Sequence, residues 1–314
     1  MEILVSGSLA YDRIMDFPGR FSDHIMPDKI HMINVSFTVN GMRENFGGTA
    51  GNIAYALSLL GEQPRIVAAI GYDYHRYFQW FEQHGLSTEN IRLVSEEATA
   101  SAYITTDLAD NQITGFNPGA MKYPSGFDYG RTNPRDCIAI VAPGNLQDMA
   151  EYTRTHQQLG IFTIFDPGQS LPAWPGDALK TCIGQSNLLV SNDYELALIL
   201  EKTGLSDQGM LELAGAIVTT RGEHGCQVST REGLSVSLPV VPTDNVIDPT
   251  GAGDAFRGGM IKGLIQGLPL ERAAMMGTVC SHYVVQKYGT QTYHFTRGEF
   301  KAKLEQHFGA AQTP

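Results

Sequence analysis

Several features of other protein classes are missing from this sequence of 314 residues. No apolar run is long enough to cross a membrane, and the opening MEILVSGSLAYD lacks the basic residues that precede the apolar part of a signal peptide. The net charge of -11 argues against a broad nucleic-acid-binding surface. We therefore expect a cytoplasmic protein that binds neither membranes nor nucleic acids.

Cysteine is scarce and scattered. The four cysteines, Cys137, Cys182, Cys226 and Cys280, form no C-x-x-C pair, so the sequence indicates neither a zinc site nor a disulfide framework. The nine histidines show no spacing that is typical of metal ligands. Free thiols in a reducing compartment are the simplest interpretation.

Short apolar runs that alternate with helical patterns indicate the fold class. Between runs that predict strands, GNIAYALSLLG and DYELALILEKTG place their apolar residues on one helical face. This alternation predicts an α/β domain with a parallel sheet that is covered on both sides by helices. The predicted buried strands are MEILVSG, PRIVAAIG, DCIAIVAP, IFTIFDP, NLLVSN and GAIVTTRG.

Two segments, 9–45 and 99–118, interrupt that order. The first contains IHMINVSFTVNGMRENF and the second TASAYITTDLADNQITGFNP, in which apolar and polar residues alternate. Alternation with a period of two is typical of antiparallel strands with one buried and one wet face. We predict a single domain over 1–314 in which these segments form a small β lid.

The stretch DPTGAGDAF, residues 248–256, places small residues ahead of an aspartate and a predicted helix. Glycines before a helix leave backbone N–H groups free, so Gly251, Ala252 and Gly253 are candidates for binding a phosphate. Asp254 beside that phosphate would serve as the base that takes a proton from an attacking hydroxyl. The alternative is a glycine-rich turn in which Asp254 caps the helix. A P-loop and a complete G-x-G-x-x-G fingerprint are both absent here.

Four motifs in one order connect the sequence with a known family. DPTGAGDAF closely resembles the C-terminal signature of the ribokinase (PfkB) family of small-molecule kinases, and GGTAGNIAYALSLLG (47–61) resembles its glycine-rich signature. SNDYE (191–195) and VTTRGEHG (218–225) are similar to the family's N-x-x-E motif and nucleotide segment. The resemblance implies a ribokinase-like three-layer α/β/α core, a mostly parallel sheet, a small β-sheet lid, and a kinase that uses ATP and Mg²⁺.

Other stretches narrow the resemblance. GSLAYDRIMDFPGRFSDHIMP, NVSFTVNGMRENFGGTAGN and ITGFNPGAM look like the bacterial type of adenosine kinase. That likeness implies transfer of a phosphoryl group from ATP to the 5′-hydroxyl of adenosine, as in purine salvage. A kinase for a sugar or another nucleoside is the alternative enzyme, and a non-catalytic nucleoside-binding protein is the alternative of another class.

The resemblance also assigns the ribose contacts. Asp12, Gly48 and Asn52 would hold the 2′- and 3′-hydroxyls, because a carboxylate can accept from two hydroxyls at once. Gly47 and Ser8 would complete this part of the site. A turn residue at Asp12 and a helix cap at Asn52 are the alternatives.

A purine base needs flat apolar surface and a few contacts at its edge. By resemblance, Tyr103 and Phe116 would stack on the base, and a sugar kinase would prefer polar groups at these positions. Ser36, Phe37 and Gln169 would contact the edge of the base. The alternative is that aromatic residues on alternating strands simply pack in the core.

The resemblance places ATP beside Asn192, Thr220 and Gly222, along with Gly251 and Gly253. Arg221 would meet a phosphate, although a surface arginine is an equally simple interpretation. Asn192 and Glu195 would order the waters of Mg²⁺, but N-x-x-E at a helix start is also the spacing of a capping box.

Two further expectations concern ions and assembly. Asp248, Thr250 and the loop 287–291 are the candidates for the monovalent-cation site, such as K⁺, that this family often has. An exposed β edge invites pairing, so we also expect a homodimer formed through the lid.

Overall fold

The computed structural model describes residues 1–109 and 111–309. Its strands are β1 (Glu2–Ser6), β2 (Ala10–Asp16), β3 (Met42–Gly47), β4 (Arg65–Gly71), β5 (Ile91–Val94), β6 (Ala100–Thr106), β7 (Gln112–Asn117), β8 (Cys137–Val141), β9 (Phe162–Phe165), β10 (Leu188–Asn192), β11 (Ala216–Thr220), β12 (Cys226–Thr230) and β13 (Ser235–Leu238). Its α-helices are α1 (Thr49–Leu59), α2 (His75–Gln83), α3 (Leu146–Leu159), α4 (Gly176–Gly184), α5 (Asp193–Thr203), α6 (Asp207–Ala214), α7 (Ala252–Ile265), α8 (Leu270–Val284) and α9 (Arg297–Phe308).

Nine strands form the large sheet in the order β13-β12-β11-β10-β9-β8-β1-β4-β5. The strands from β11 to β5 pair in parallel, whereas β12 and β13 are added antiparallel at one edge. All six strands expected from the sequence lie in the parallel part, which confirms the fold class. The sequence did not reveal β5, β12 and β13, because these strands at or next to the sheet edges are only partly buried and carry no continuous apolar run.

Helices cover both faces of the large sheet, as expected for three layers. On one face, Ile53 of α1 and Met260 of α7 pack against sheet residues such as Ile140. On the other face, Met149 of α3 and Ile199 of α5 belong to a second core cluster. None of the helices in 1–109 and 111–309 combines the length and apolar character that a membrane span requires.

The small sheet has the order β3-β2-β6-β7. The outer pairs β2–β3 and β6–β7 are antiparallel as expected, but the central pair β2–β6 is parallel. The reason is topological, since β2 follows β1, β6 follows β5, and those two strands run parallel in the large sheet. The expectation of a wholly antiparallel sheet was therefore wrong for its centre.

The first of the two interrupting segments is also less regular than its pattern predicts. Residues 33–39 form neither strand nor helix, and β3 begins only at Met42. Ile33 and Val35, which contribute to the alternation, are exposed. An alternating segment forms a strand only where a neighbouring strand pairs with it, and residues 33–39 pair with none of the described strands. Asp110, in the turn predicted within the second segment, lies outside the described residues.

Candidate active site

The carboxyl edge of the large sheet gathers the residues that the motifs singled out. Asn192 at the end of β10 pairs with Thr220 at the end of β11. Asp166 follows β9 directly, and the small sheet begins shortly after β1. In open α/β sheets, ligands bind in the crevice at this edge.

The start of α7 forms the floor of the crevice. Gly251 has a φ of 81°, and a Cβ there would lie 2.9 Å from Cγ2 of Thr290, so both the backbone and the space require glycine. The N–H of Ala252 donates to the carbonyl of Pro249 at 3.1 Å, whereas in the described part of the chain those of Gly251 and Gly253 have no partner. The anion site predicted from three amides therefore has two free ones.

Asp254 lies in the first turn of α7, as expected. Nδ2 of Asn52 donates to its Oδ2 at 2.8 Å. Burial raises the pKa of Asp254 above its ordinary value, while the charge of Arg257 and the hydrogen bond from Asn52 oppose that shift. The charge of Arg257 and the donor from Asn52 both favour the ionised form of Asp254, which is the form that can accept a proton.

The side chain of Asn52 makes two hydrogen bonds within the protein, which the predicted ribose contact did not include. Its Oδ1 accepts from Nε2 of Gln291 at 2.9 Å, while its Nδ2 serves Asp254. One hydrogen on Nδ2 and one lone pair on Oδ1 are left for a substrate hydroxyl. The helix-cap alternative is wrong, because Gly48 is the N-cap of α1.

A buried ion pair that sequence reasoning missed supports the same helix. Nη2 of Arg257 donates to Oδ1 of Asp166 at 2.8 Å, and the two residues are 6% and 1% exposed. Burial alone would lower the pKa of Arg257, but the charge and hydrogen bond of Asp166, together with the charges of Asp254 and Glu195, outweigh it and raise that pKa. A Cβ on Gly253 would lie 2.7 Å from Nη1 of Arg257. The available signal was an arginine one turn after Asp254, among the small and apolar residues 255–261 of α7.

The front face of the small sheet, defined by Asp12, Asn45, Ala102 and Phe116, carries the second carboxylate. These residues share one side because they are direct cross-strand partners. Within the described residues, the Asp12 carboxylate has no hydrogen-bond donor. Burial, with the charges of Asp248 and Asp254, raises the pKa of Asp12 to about 6. Such a carboxylate is ready for donors supplied by a ligand.

Gly47 and Gly48 connect the small sheet to α1. A Cβ on Gly47 would lie 2.6 Å from Oδ2 of Asp12, so glycine at this position makes room for the carboxylate. Gly48 has a φ of 87°, and a Cβ there would lie 2.6 Å from the amide nitrogen of Ala10. The hydroxyl of Ser8 is buried and accepts the N–H of Thr49 at 3.0 Å, and its contact with a substrate stays a prediction.

Tyr103 lies on the opposite, back face of the small sheet, together with Arg13, Glu44 and Gly115. Nη1 of Arg13 donates to the Tyr103 hydroxyl at 2.7 Å. The expectation that Tyr103 and Phe116 stack together on one base was therefore wrong. Phe116 alone supplies aromatic surface on the side of Asp12, and its side chain is 53% exposed.

The other residues expected at the base edge are distributed unevenly. Phe37 packs against Phe17 and Phe21, with ring centroids 4.7 and 5.1 Å apart, so its ring holds together the segment before β3. Ser36 beside it is exposed. Gln169 is exposed on the short turn that follows Asp166, at the crevice.

On the nucleotide side, the capping box is present. Oδ1 of Asn192 accepts the N–H of Glu195, and Oε2 of Glu195 accepts the N–H of Asn192, both at 2.7 Å. One carboxylate oxygen of Glu195 stays outside the box. Beyond β11, exposed Arg221 donates its backbone N–H to the carbonyl of Gly225 at 2.7 Å, and Gly222 has a φ of 53°.

Asp248 ties two loops together. Its Oδ1 accepts the N–H of exposed Thr250 at 2.9 Å, and its Oδ2 accepts the N–H of Gly289, in the loop 287–291, at 3.1 Å. Both oxygens thus serve the backbone before any cation is considered. Across 1–109 and 111–309, no cluster of three or more His, Cys, Asp or Glu residues is arranged to hold a metal ion.

Comparison with known proteins relates this crevice to a family of kinases. Residues 19–296 match the model of the pfkB family of carbohydrate kinases. The chain belongs to this family. The resemblance seen in four motifs is thereby confirmed, and the finer likeness to adenosine kinases stays a prediction. Phosphoryl transfer from ATP is the chemistry of the pfkB family, and a carboxylate beside two free amides is compatible with it.

Individual relatives are also similar over nearly the whole chain. A nucleoside kinase from Methanocaldococcus jannaschii is 29% identical over 279 residues, which cover 87% of this pfkB-family chain and 90% of that protein. The structure of the Burkholderia thailandensis nucleoside kinase in complex with inosine is 41% identical, with a TM-score of 0.86 and 98% of both chains covered. A structure of that enzyme with ADP-inosine is 42% identical, with a TM-score of 0.84 and 98% and 96% covered.

Proposed function

We propose that this pfkB-family kinase transfers the γ-phosphoryl group of ATP to the 5′-hydroxyl of a purine nucleoside, with adenosine as the preferred acceptor. The observation that carries the proposal is the pairing of Asp12 and Phe116 on the front face of the small sheet. A donor-free carboxylate suits the vicinal hydroxyls of a ribose, and an exposed ring beside it suits a base. A free sugar would leave Phe116 without an apolar partner.

The acceptor lies between the small sheet and α7. Asp12 accepts hydrogen bonds from the 2′- and 3′-hydroxyls, and the backbone of Gly47 and Gly48 lines the ribose. Phe116 covers one face of the base. Closure of the lid, made of β2, β3, β6 and β7, excludes water that would otherwise compete as the nucleophile.

Transfer itself uses the start of α7. Asp254 accepts the proton of the 5′-hydroxyl while the oxygen attacks the γ-phosphorus in line. The free N–H groups of Gly251 and Gly253 donate to the phosphoryl oxygens, where charge accumulates. Arg257 holds positive charge next to this turn, with Asp166 fixing its position.

The residues at the end of β10 fit a magnesium ion carried by ATP. The charge of Glu195 raises the pKa values of both Asp254 and Arg257, so its carboxylate lies beside the site. One of its two oxygens takes no part in the capping box. Bound Mg²⁺ would neutralise charge on the phosphates. Glu195 would hold waters of that ion, since Mg²⁺ usually keeps several, and Asn192 and Thr220 would line the nucleotide.

Inosine is the second candidate acceptor. The carboxamide of Gln169 can accept from the 6-amino group of adenosine or donate to the 6-oxo group of inosine, so it serves both bases. The complex of the B. thailandensis enzyme, 41% identical to this chain, contains inosine. We therefore expect activity with both nucleosides.

The test is ADP release from Mg-ATP with adenosine, inosine, guanosine, ribose, fructose or buffer alone. We expect the highest kcat/KM with adenosine, a lower value with inosine, and background with the sugars. Asp254→Asn protein from the same preparation controls for contaminating kinases. Inosine as the better acceptor would overturn the preference for adenosine, and turnover with a sugar alone would overturn the nucleoside assignment.

We also propose that two lids pair in a homodimer. The back face of the small sheet exposes Met42, Tyr103 and Ile113, and β3 and β7 are edge strands. A monomeric mass in light scattering would contradict this.

A further inference from the structure

A chain of three hydrogen bonds leads from the surface of α2 to the carboxylate of Asp254. Nε1 of Trp80 donates to Oε1 of Gln291 at 2.8 Å, and Nε2 of Gln291 donates to Oδ1 of Asn52 at 2.9 Å. Nδ2 of Asn52 then donates to Oδ2 of Asp254 at 2.8 Å. Gln291 is the centre of this chain and is 2% exposed.

The two ends of the chain fix its direction. An indole N–H can only donate, and an ionised carboxylate can only accept. The two amides between them, Gln291 and Asn52, could each be turned over, but one orientation alone gives every group a partner. If Asn52 were turned, its carbonyl oxygen would face Asp254 and repel it. Trp80, acting through Gln291, therefore holds Asn52 in the one orientation that presents a donor to the carboxylate.

The same amide also supports the ribose side. Nε2 of Gln291 donates a second hydrogen bond to the Tyr77 hydroxyl at 2.8 Å, and that hydroxyl donates to the carbonyl of Gly47 at 2.7 Å. A Cβ on Gly51 would lie 2.0 Å from the Tyr77 hydroxyl oxygen. Glycine at position 51 is thus required by this network.

We propose that Gln291 is a positioning residue for phosphoryl transfer, which is anchored by Trp80 and turns the Asn52 amide so that Asp254 always faces a hydrogen-bond donor. The inference rests on the proposed role of Asp254 as the base. It adds a side-chain role for a residue that lies 239 positions from Asn52 in the chain, in the loop 287–291, which the sequence connected only with a cation site.

A pH profile can isolate this effect. Six other charged or titratable groups interact electrostatically with Asp254. They are Arg257 on α7, Glu195 on α5, Asp166 after β9, Asp12 on β2, Tyr77 on α2 and Tyr293 in the loop before α9. The pKa values of Tyr77 and Tyr293 are raised far above neutrality by burial, so both stay uncharged. Substitution at Gln291 removes none of these groups, and a shift in the acid limb would report on Asn52.

The test is Gln291→Met, which keeps the length of the side chain and removes its hydrogen bonds. We expect kcat to fall about 10- to 100-fold, with the KM for ATP unchanged. The acid limb of kcat, measured at saturating nucleoside so that the titration of Asp12 does not contribute, should move to higher pH, because Asp254 loses an oriented donor that lowers its pKa. Gln286→Met is the matched control, since Nε2 of Gln286 donates to the carbonyl of His282 outside the chain, and it should behave like the wild type.

Trp80→Phe is the second variant and covers the case in which Gln291→Met does not fold. It keeps most of the ring packing but removes the N–H that orients Gln291, so we expect a smaller fall in kcat with an acid limb moved the same way. Wild-type kcat and pH profile in either folded variant would overturn the proposal. So would a loss of kcat and thermal stability without any pH shift, which is the signature of a purely structural role. An active Asp254→Asn enzyme would instead overturn the base assignment itself, and the positioning role with it.

Discussion

Asp254 and Asp12 lie on opposite walls of one crevice, and their surroundings differ. Asp254 accepts a hydrogen bond from Asn52 and lies close to the charge of Arg257. Asp12 has only other carboxylates as charged neighbours, and among the described residues it has no donor. Asp254 already has a hydrogen-bond donor in the free protein, whereas Asp12 would gain its donors from a ligand.

The difference separates two tasks of a kinase site. A base must be ionised and aligned before the acceptor arrives, so its donors belong to the protein. A binding carboxylate gains affinity when its first good donors are those of the ligand, because the cost of burying its charge is then relieved on binding. On this view Asp254 affects kcat and Asp12 affects the KM for the nucleoside.

The largest effect is expected at the base. Asp254→Asn should lower kcat about 1,000-fold, because the amide cannot accept the proton of the attacking hydroxyl. Nucleoside binding, measured by titration calorimetry, should change less than about threefold, since Asp254 does not hold the ribose. Near-normal turnover would remove Asp254 as the base.

Asp12→Asn should act mainly on binding. We expect the KM for the nucleoside to rise about 10- to 100-fold, because a charge-assisted hydrogen bond to each ribose hydroxyl is weakened. The free energy of unfolding near neutral pH should increase by about 1 to 2 kcal/mol, after allowance for solvent screening, since the buried charge beside Asp248 and Asp254 is removed. Steady-state kinetics tests the predicted KM, and urea unfolding tests the predicted free energy of unfolding. An unchanged KM would contradict the ribose assignment.

The KM for the nucleoside should also depend on pH in the wild type. With a pKa of about 6, Asp12 is ionised above that pH and protonated below it. Its ability to accept two hydroxyls falls as it is protonated, so KM should rise up to about tenfold for each pH unit below the pKa. The folded-state pKa is raised, so protonation relieves the buried charge, and stability relative to Asp12→Asn should increase as pH falls. A flat KM profile in Asp12→Asn is the control.

The smallest effect distinguishes the faces of the small sheet. Phe116→Ala should raise the KM for the nucleoside about five- to tenfold through loss of stacking area, with the KM for ATP unchanged. Tyr103→Ala, on the back face, should change either constant less than about twofold. Equal effects of the two substitutions on nucleoside KM would contradict the strand register.

The sequence determined the layers of the fold and predicted a chemistry for the helix start. Its six buried strands follow from continuous apolar runs, which report burial directly, whereas the alternating residues 33–39 formed no strand. Glycines before a helix likewise predict an anion site wherever the helix lies. The residues of DPTGAGDAF thus indicated a base and a phosphate site before any neighbour was known.

Only the tertiary structure decided which residues serve that site. Tyr103 and Phe116 are separated by a turn, and a register shift of one residue would have placed them on the same face. Asn52 reaches Asp254 across 202 residues, and Gln291 reaches Asn52 across 239. Side-chain faces and hydrogen-bond direction depend on partners that are distant in sequence, so local patterns carry no trace of them.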